Sequence, residues 1–291
     1  MDYNTITFYK FIEITDPEGL MNQLRNLCEV LNVKGRILLG KEGINGGVSG
    51  TKPDIHKLKL EIMKRPQFND LTFRELETET NSYHRLVVRI RDEIITLGKQ
   101  VDMRNKANYI TPENLKKLYD EGEDFVILDT RNKYEADVGK FKNAIVLPID
   151  SFYDFPQAIN TLADIKNKKI ITYCTGGIRC EKATAFMNQI GFENVFQLKG
   201  GIIEFVNTFP GEEFEGDLFV FDDRLVSKTG SDKKLGKCEI CLQPCNNYTD
   251  CYNMDCDKLF ICCDDCKIKM KNTCCEECKV AERHRPILTK L

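Results

Sequence analysis

The spacing of apolar and polar positions divides the chain into three stretches. In the first, Ile6, Phe8, Phe11 and Ile12 form an apolar, aromatic run that predicts a strand. Asp16-Pro17-Glu18 then opens a helical pattern, with Leu20, Leu24, Leu27, Val30 and Leu31 at three- and four-residue intervals. Residues 35–48 read as a strand ending in glycines. Residues 52–63 read as a second helix, with Pro53 suited to its first turn. Residues 71–76 and 86–97 read as further strands. The order β-α-β-β-α-β predicts a ferredoxin-like α+β domain over residues 1–98.

The second stretch, 99–218, has a different rhythm. Thr111-Pro112-Glu113 opens a helix running to Tyr119, and residues 182–190 have helical spacing. Between them lie continuous apolar runs at 125–128, 144–147, 170–173 and 195–198, as buried parallel strands require. Strands alternating with helices predict a doubly wound α/β domain, whose ligands bind at the carboxyl ends of the strands. Cys174 follows one such strand directly. From 219 the chain turns polar, with 227–232 as the expected linker to a cysteine-rich tail, so that 219–291 forms the third part.

Composition adds two constraints. The 291 residues carry 42 Lys+Arg against 45 Asp+Glu, a formal charge of -3, which excludes a uniformly basic RNA coat. Any RNA binding must come from local patches. No apolar run approaches the ~20 residues of a membrane span, and the start, Met1-Asp2-Tyr3-Asn4-Thr5, lacks a basic, apolar leader. The expectation is a cytoplasmic protein with no membrane partner. The second constraint is cysteine: there are 14, of which 11 fall between Cys238 and Cys278. A cysteine-dense tail on such a chain points to metal before disulfides.

The tail spacing is Cys238-x-x-Cys241-x-x-x-Cys245, then Cys251, Cys256, Cys262-Cys263-x-x-Cys266 and Cys274-Cys275-x-x-Cys278. Zinc takes four thiolates, and each C-x-x-C turn supplies two. Structural zinc held among Cys238, Cys241, Cys245, Cys251, Cys256, Cys263, Cys266, Cys275 and Cys278 is the expectation. Disulfides or an iron–sulfur cluster are the alternatives. Lys267, Lys269, Lys271, Lys279, Arg283 and Arg285 interleave with acidic residues, so they read either as phosphate contacts or as a solvated surface.

The stretch Tyr173-Cys174-Thr175-Gly176-Gly177-Ile178-Arg179-Cys180 joins a strand to a helix through a short glycine loop. Such a turn aims backbone N–H groups and a helix N-terminus at one point, which favours a thiolate at Cys174. Arg179 adds positive charge or braces the loop. Cys180 is either a resolving thiol or a small packed residue. Asp129 and Arg131 either brace the loop or touch substrate. The segment from Gly40 to Thr51 is neither a Walker loop nor a dinucleotide fingerprint. Gly46-Gly47 either admits RNA backbone beside Arg36 and Lys41, with Asn45 as a polar contact, or makes a sheet bulge. Lys57, Lys59, Lys64 and Arg65 read as a solvated helix face.

Cys174 to Arg179 resembles the six-residue active-site loop of rhodanese domains, and residues 128–148 resemble the rhodanese entry motif. Together with Gly40-Lys41-Glu42-Gly43-Ile44-Asn45-Gly46-Gly47 and the cysteine-rich tail, the chain resembles the TrhO (YceA-like) family of rhodanese-domain tRNA uridine(34) hydroxylases. The resemblance implies an acylphosphatase-like first domain, a tRNA partner, O2 as co-substrate and conversion of wobble uridine 34 to 5-hydroxyuridine. It also implies that Cys174 is essential and, by analogy with rhodaneses, a persulfide carrier. The alternative activity is a sulfurtransferase working through a Cys174 persulfide.

Overall fold

The structure, a computed structural model, describes residues 2–285. It opens with strand β1 (Tyr3–Phe11), helix α1 (Pro17–Val30), strands β2 (Lys34–Gly40) and β3 (Gly43–Thr51), helix α2 (Lys52–Met63), and strands β4 (Phe73–Thr78) and β5 (Leu86–Ile90). They form one sheet in the order β4-β1-β3-β2-β5. The first four strands give the ferredoxin-like arrangement, and β5 extends it by pairing parallel to β2. The helices begin where the sequence places their caps. Asp16 accepts from the Gly19 N–H, Thr51 from the Asp54 N–H, and both helices carry proline in the first turn.

Alternation in β1 gives the sheet two different faces. Ile6 and Phe8 enter a core with Leu20, Leu24, Ile37, Ile55 and Leu58. Cys28 is fully buried in that core. The intervening Thr5, Thr7 and Tyr9 face the rest of the chain, where Tyr9 reaches Glu181.

Two expectations for this region change. The run 35–48 is a tight hairpin of two strands, closed by Gly40 pairing with Gly43. The strand from Leu86 ends at Ile90, because the chain then folds back on itself. The Glu93 carboxylate accepts the N–H groups of Leu97 (3.0 Å) and Gly98 (3.1 Å).

Strand β6 (Asn108–Ile110), helix α3 (Pro112–Asp120), strand β7 (Val126–Asp129), helix α4 (Lys133–Ala136), and short strands β8 (Gly139–Phe141) and β9 (Ile145–Val146) follow. Then come helix α5 (Phe155–Ile159), strand β10 (Lys169–Tyr173), helix α6 (Ile178–Gln189), strand β11 (Asn194–Leu198) and helix α7 (Gly201–Thr208). The second sheet, β6-β11-β10-β7-β9, is parallel throughout. Adjacent strand residues enter opposite cores. Leu128 and Ile170 pack with Phe155, Ala183 and Met187. Ile127 and Ile171 pack with Leu115, Ile202 and Phe205. Both faces are therefore covered, as the unbroken apolar runs required. Helix α6 starts at Ile178, four residues before the 182–190 pattern, because Gly177 takes a left-handed φ of 103° and turns the chain directly into it.

The remaining pieces are β12 (Phe214–Gly216), β13 (Leu218–Phe219), β14 (Val226–Ser227), the hairpin β15 (Tyr248–Asp250) with β16 (Leu259–Ile261), and short helices α8 (Asp264–Lys269) and α9 (Glu276–Lys279). The stretch read as a linker is pinned instead. Thr229 donates to Gly216 O at 2.6 Å, and Lys228 and Lys234 pair with buried Asp217. The tail packs on the second sheet's domain through Tyr248, whose ring meets Phe219 at 5.4 Å and whose hydroxyl donates to Tyr134 O at 2.9 Å. Among the described residues no helix is long and apolar enough to cross a membrane.

Candidate functional site

Cys174 leaves the carboxyl end of β10, and its Sγ accepts the Gly177 N–H at 3.0 Å. Burial pushes its pKa up. A hydrogen bond from Cys180, the Arg179 charge and the N–H groups of Arg179 and Cys180 outweigh that penalty and hold the thiol well below its usual range. Cys180 is affected in the opposite sense: burial and the neighbouring Cys174 thiolate keep it protonated. It stands under the loop, 3.6 Å from Thr130 Oγ1. The result is one thiolate with its donor beside it, a nucleophile for an electron-poor carbon or a sulfane sulfur.

The loop is braced from below. Arg179 forms a bidentate ion pair with fully buried Glu135, with Nη2–Oε2 at 2.8 Å, and donates to Thr175 Oγ1 at 3.3 Å. Sequence reasoning passed over Glu135. Its signal was the N-cap pattern Asn132-x-x-Glu135, which the structure builds as a capping box. Asp129 and Arg131 pair beneath it at 2.7 Å, both fully buried. Tyr173 donates to Asp129 at 2.7 Å and Arg131 to Gly139 O at 2.6 Å. Neither lines the cavity above Cys174. Gly201 is packed so closely that a Cβ there would lie 2.5 Å from Cys174 O.

That cavity measures about 660 Å³ and is roofed by the first sheet. Thr7, Tyr9, Arg36, Asn45, Gly46, Gly47 and Arg74 face it from β1 to β4, opposite Cys174, Thr175, Gly176, Ile178 and Arg179. Tyr83, Arg91, Phe221 and Arg224 complete the wall. Gly46 and Gly47 have steric reasons to be glycine: a Cβ would strike the Phe8 ring at 2.3 Å or the Tyr83 hydroxyl at 2.7 Å. Asn45 donates to Ile94 O at 2.9 Å, fixing the loop after β5. Lys41 is exposed at the hairpin turn and does not line the cavity. On α2, Lys59 pairs with Glu75 and Lys64 with Glu61, consistent with a solvated face.

The two domains are joined around α6. Lys182 Nζ is almost fully buried and donates to Glu42 (2.9 Å), Glu93 (2.6 Å) and Ile95 O (3.0 Å). Glu181 accepts from Tyr9 at 3.1 Å, from Lys106 at 2.7 Å and from Tyr109. The first residues of the helix after Cys174 therefore dock the glycine-rich hairpin over it.

In the tail the structure gathers two four-sulfur groups, Cys238, Cys241, Cys263 and Cys266 in one, Cys251, Cys256, Cys274 and Cys278 in the other. Within each, the sulfurs all lie within 4.8 Å of one another. The pairs Cys241–Cys263, Cys256–Cys274 and Cys274–Cys278 stand at 3.7 Å. The edge of a zinc tetrathiolate, with bonds of about 2.3 Å, is about 3.8 Å. Either group could hold a metal ion.

The expected ligand set changes at three positions. Cys245 lies outside both groups, its sulfur accepting the Asn247 N–H at 3.3 Å. Cys275 lies outside because it caps α9, accepting the Cys278 N–H. Cys274, passed over because it breaks the C-x-x-C spacing, takes that place.

Comparison with known proteins follows the same division. Residues 3–94 match the UPF0176 acylphosphatase like domain, 111–208 the rhodanese-like domain and 215–279 the rhodanase C-terminal region. A tRNA uridine(34) hydroxylase of Cytophaga hutchinsonii is 36% identical over 289 residues, covering 98% of this chain and 92% of that protein. One from Staphylococcus haemolyticus is 38% identical over 293 residues, covering 98% and 91%. Among solved structures, the rhodanese-like domain of an Anabaena protein is 29% identical, covering 37% of this chain and 78% of that one, with a TM-score of 0.32.

Proposed function

The chain belongs to the tRNA uridine(34) hydroxylase family, and from that premise we propose that the cavity between its two sheets receives the wobble uridine of a tRNA and presents it to the Cys174 thiolate. The reaction is hydroxylation of uridine 34, with 5-hydroxyuridine as product and O2 as co-substrate. One observation carries this reading: the thiolate faces a cavity whose far wall is built from the other domain. That wall offers aromatic faces and guanidinium groups, which suit a base and its phosphates.

Each part of the chain then has a task. Residues 1–98 supply the roof, 99–218 the reactive loop, and 219–285 part of the wall, through Phe221 and Arg224, together with a buttress that two zinc ions would hold together. Cys174 is the catalytic residue. Thr175, Gly176, Gly177, Ile178, Arg179 and Cys180 shape and charge its cradle, and Asp129 and Arg131 support the loop from beneath. The zinc ions would be structural: eight thiolates leave no open position, and the sulfur groups are separate from the residues around Cys174. With tRNA as substrate and reduced thiols in use, the cytoplasm is the compartment that fits.

The test is complementation of a bacterial strain lacking its own tRNA uridine 34 hydroxylation. Wild-type protein should restore 5-hydroxyuridine in digested tRNA, measured by mass spectrometry, and Cys174→Ala should not. Full restoration by Cys174→Ala would remove the catalytic assignment. Thiocyanate formation from thiosulfate and cyanide by a wild-type protein that has no effect on tRNA would make it a sulfurtransferase.

A further inference from the structure

Two polar atoms at the inner wall of the cavity have no hydrogen-bond partner among the described residues. Thr7 Oγ1 and Arg74 Nε are buried and hydrogen-bond to nothing among the described residues. They stand directly opposite each other in the β1–β4 register, on the sheet face turned toward the Cys174 loop. A Cβ at Gly176 would lie 3.8 Å from Thr7 Oγ1 and 3.9 Å from Arg74 Cδ, so the pair borders the loop that carries the thiolate. Leaving such groups unpaired costs stability. The other outward residues of β1 escape that cost: Thr5 shares a hydrogen bond with Ser82 at 2.6 Å and Tyr9 donates to Glu181. Arg74 is held in place by its stacking on Tyr9, 5.0 Å from the ring centre. A guanidinium fixed this way, beside an idle hydroxyl, is arranged to bind an oxygen that arrives with a ligand.

The geometry points to Thr7 and Arg74 as the residues that read the target base, binding the exocyclic O4 carbonyl of uracil. This rests on the wobble-uridine reading above. O4 is bonded to C4, next to the C5 that is hydroxylated, so a base with C5 at the reactive loop places O4 within reach of the loop's neighbours. The chemistry also discriminates. Uracil offers an acceptor at this position and cytosine an amino donor. Arg74 Nε–H can only donate, so cytosine would meet it donor to donor, whereas the Thr7 hydroxyl can donate to O4 or turn to accept from the amino group, so the discrimination rests on Arg74. A phosphate is the competing ligand. Arg36 and Arg91, exposed and also lining the cavity, are better placed for the RNA backbone than half-buried Arg74.

The test measures full-length protein binding to synthetic tRNA anticodon stem-loops carrying U or C at position 34, at fixed salt. Wild type should prefer U34 by about tenfold, the scale of one mismatched buried hydrogen bond. Thr7→Val keeps the side-chain volume, and Arg74→Lys keeps the charge but lacks the Nε–H. Arg74→Lys should reduce the preference to about threefold or less, chiefly by weakening U34 binding, while Thr7→Val should weaken U34 and C34 binding alike. Circular dichroism should show both variants folded. Equal weakening on U34 and C34 loops by Arg74→Lys would make Arg74 a phosphate contact and overturn the proposal. So would an unchanged ratio in Arg74→Lys, unaltered U34 binding in Thr7→Val, or no preference in wild type. The ratio is read without turnover, so loss of the hydroxylase assignment in the complementation experiment would be recognised separately.

Discussion

Lys182→Met should loosen the roof from the reactive loop. In the folded protein the Lys182 ammonium is about 3% exposed and all three of its protons are taken, by Glu42 at 2.9 Å, Glu93 at 2.6 Å and Ile95 O at 3.0 Å. Methionine fills a similar volume but leaves two carboxylates facing each other with no cation between them. Breaking a fully buried pair costs about 3–5 kcal/mol. Glu42 and Glu93 keep 29% and 25% exposure, so water recovers part of the loss, and about 2–3 kcal/mol is expected. Glu42→Gln and Glu93→Gln should each cost less, about 1 kcal/mol, because the lysine keeps one carboxylate. The triple variant should be more stable than Lys182→Met alone, since no unpaired charge remains. Urea unfolding followed by fluorescence of the tyrosines reports these differences, and faster proteolysis of the loop after β5 in Lys182→Met would show that the docking surface has opened. The same clamp sets a pH dependence. Burial raises the Glu93 pKa, but Lys182 and the N–H groups of Leu97 and Gly98 win and leave it lowered. A lowered folded pKa means stability that is complete above the unfolded value of about 4.3 and is lost as pH falls through the folded value. Wild type should therefore lose stability below about pH 4 more steeply than Glu93→Gln. A change of less than about 0.5 kcal/mol in Lys182→Met, the scatter of ordinary surface substitutions, would refute the clamp.

Further expectations concern the thiolate, its support and the tail. Cys180→Ala removes the hydrogen bond that most lowers the Cys174 pKa, so the midpoint of iodoacetamide alkylation against pH should move up; an unmoved midpoint would show that the loop amides and Arg179 suffice. Glu135→Gln leaves Arg179 buried beside a neutral partner and should cost about 3 kcal/mol in urea unfolding, whereas an exposed-pair value below 1 kcal/mol would contradict the buried bidentate geometry. Elemental analysis of protein purified without oxygen should find two zinc ions per chain. Cys274→Ser should lose one of them while Cys275→Ser and Cys245→Ser keep both, and the reverse pattern would restore the C-x-x-C reading of the last knuckle.

What the sequence disclosed and what it hid follow from the range of the forces involved. Periodicity reports whether one face or two faces of an element are covered. It therefore revealed the amphipathic β1 and α1 and the doubly covered β7, β10 and β11. The reactive loop was legible for a similar reason: strand, cysteine, glycine and helix start are contiguous, so the cradle is a local product of backbone geometry. Contacts between parts were not legible. Glu42 and Lys182 are 140 positions apart, and no local pattern distinguishes the lysine that crosses to another domain from those that face water. The glycines at 46 and 47 read as a bulge or as an RNA approach. Only the Phe8 ring and the Tyr83 hydroxyl, brought there by tertiary packing, show why side chains are excluded. The tail shows how a local rule can mislead. C-x-x-C spacing favoured Cys275, but a cysteine opening a one-turn helix can satisfy a free N–H instead, and then the preceding Cys274 is the sulfur that points inward. The same tail links outward: Tyr248 of the metal-ready hairpin donates to Tyr134 O, and the next residue, Glu135, holds Arg179 against the loop. A single peptide bond thus separates the contact that anchors the cysteine-rich segment from the ion pair that braces the thiolate loop, which gives that segment a physical route to the chemistry at Cys174 without touching the cavity.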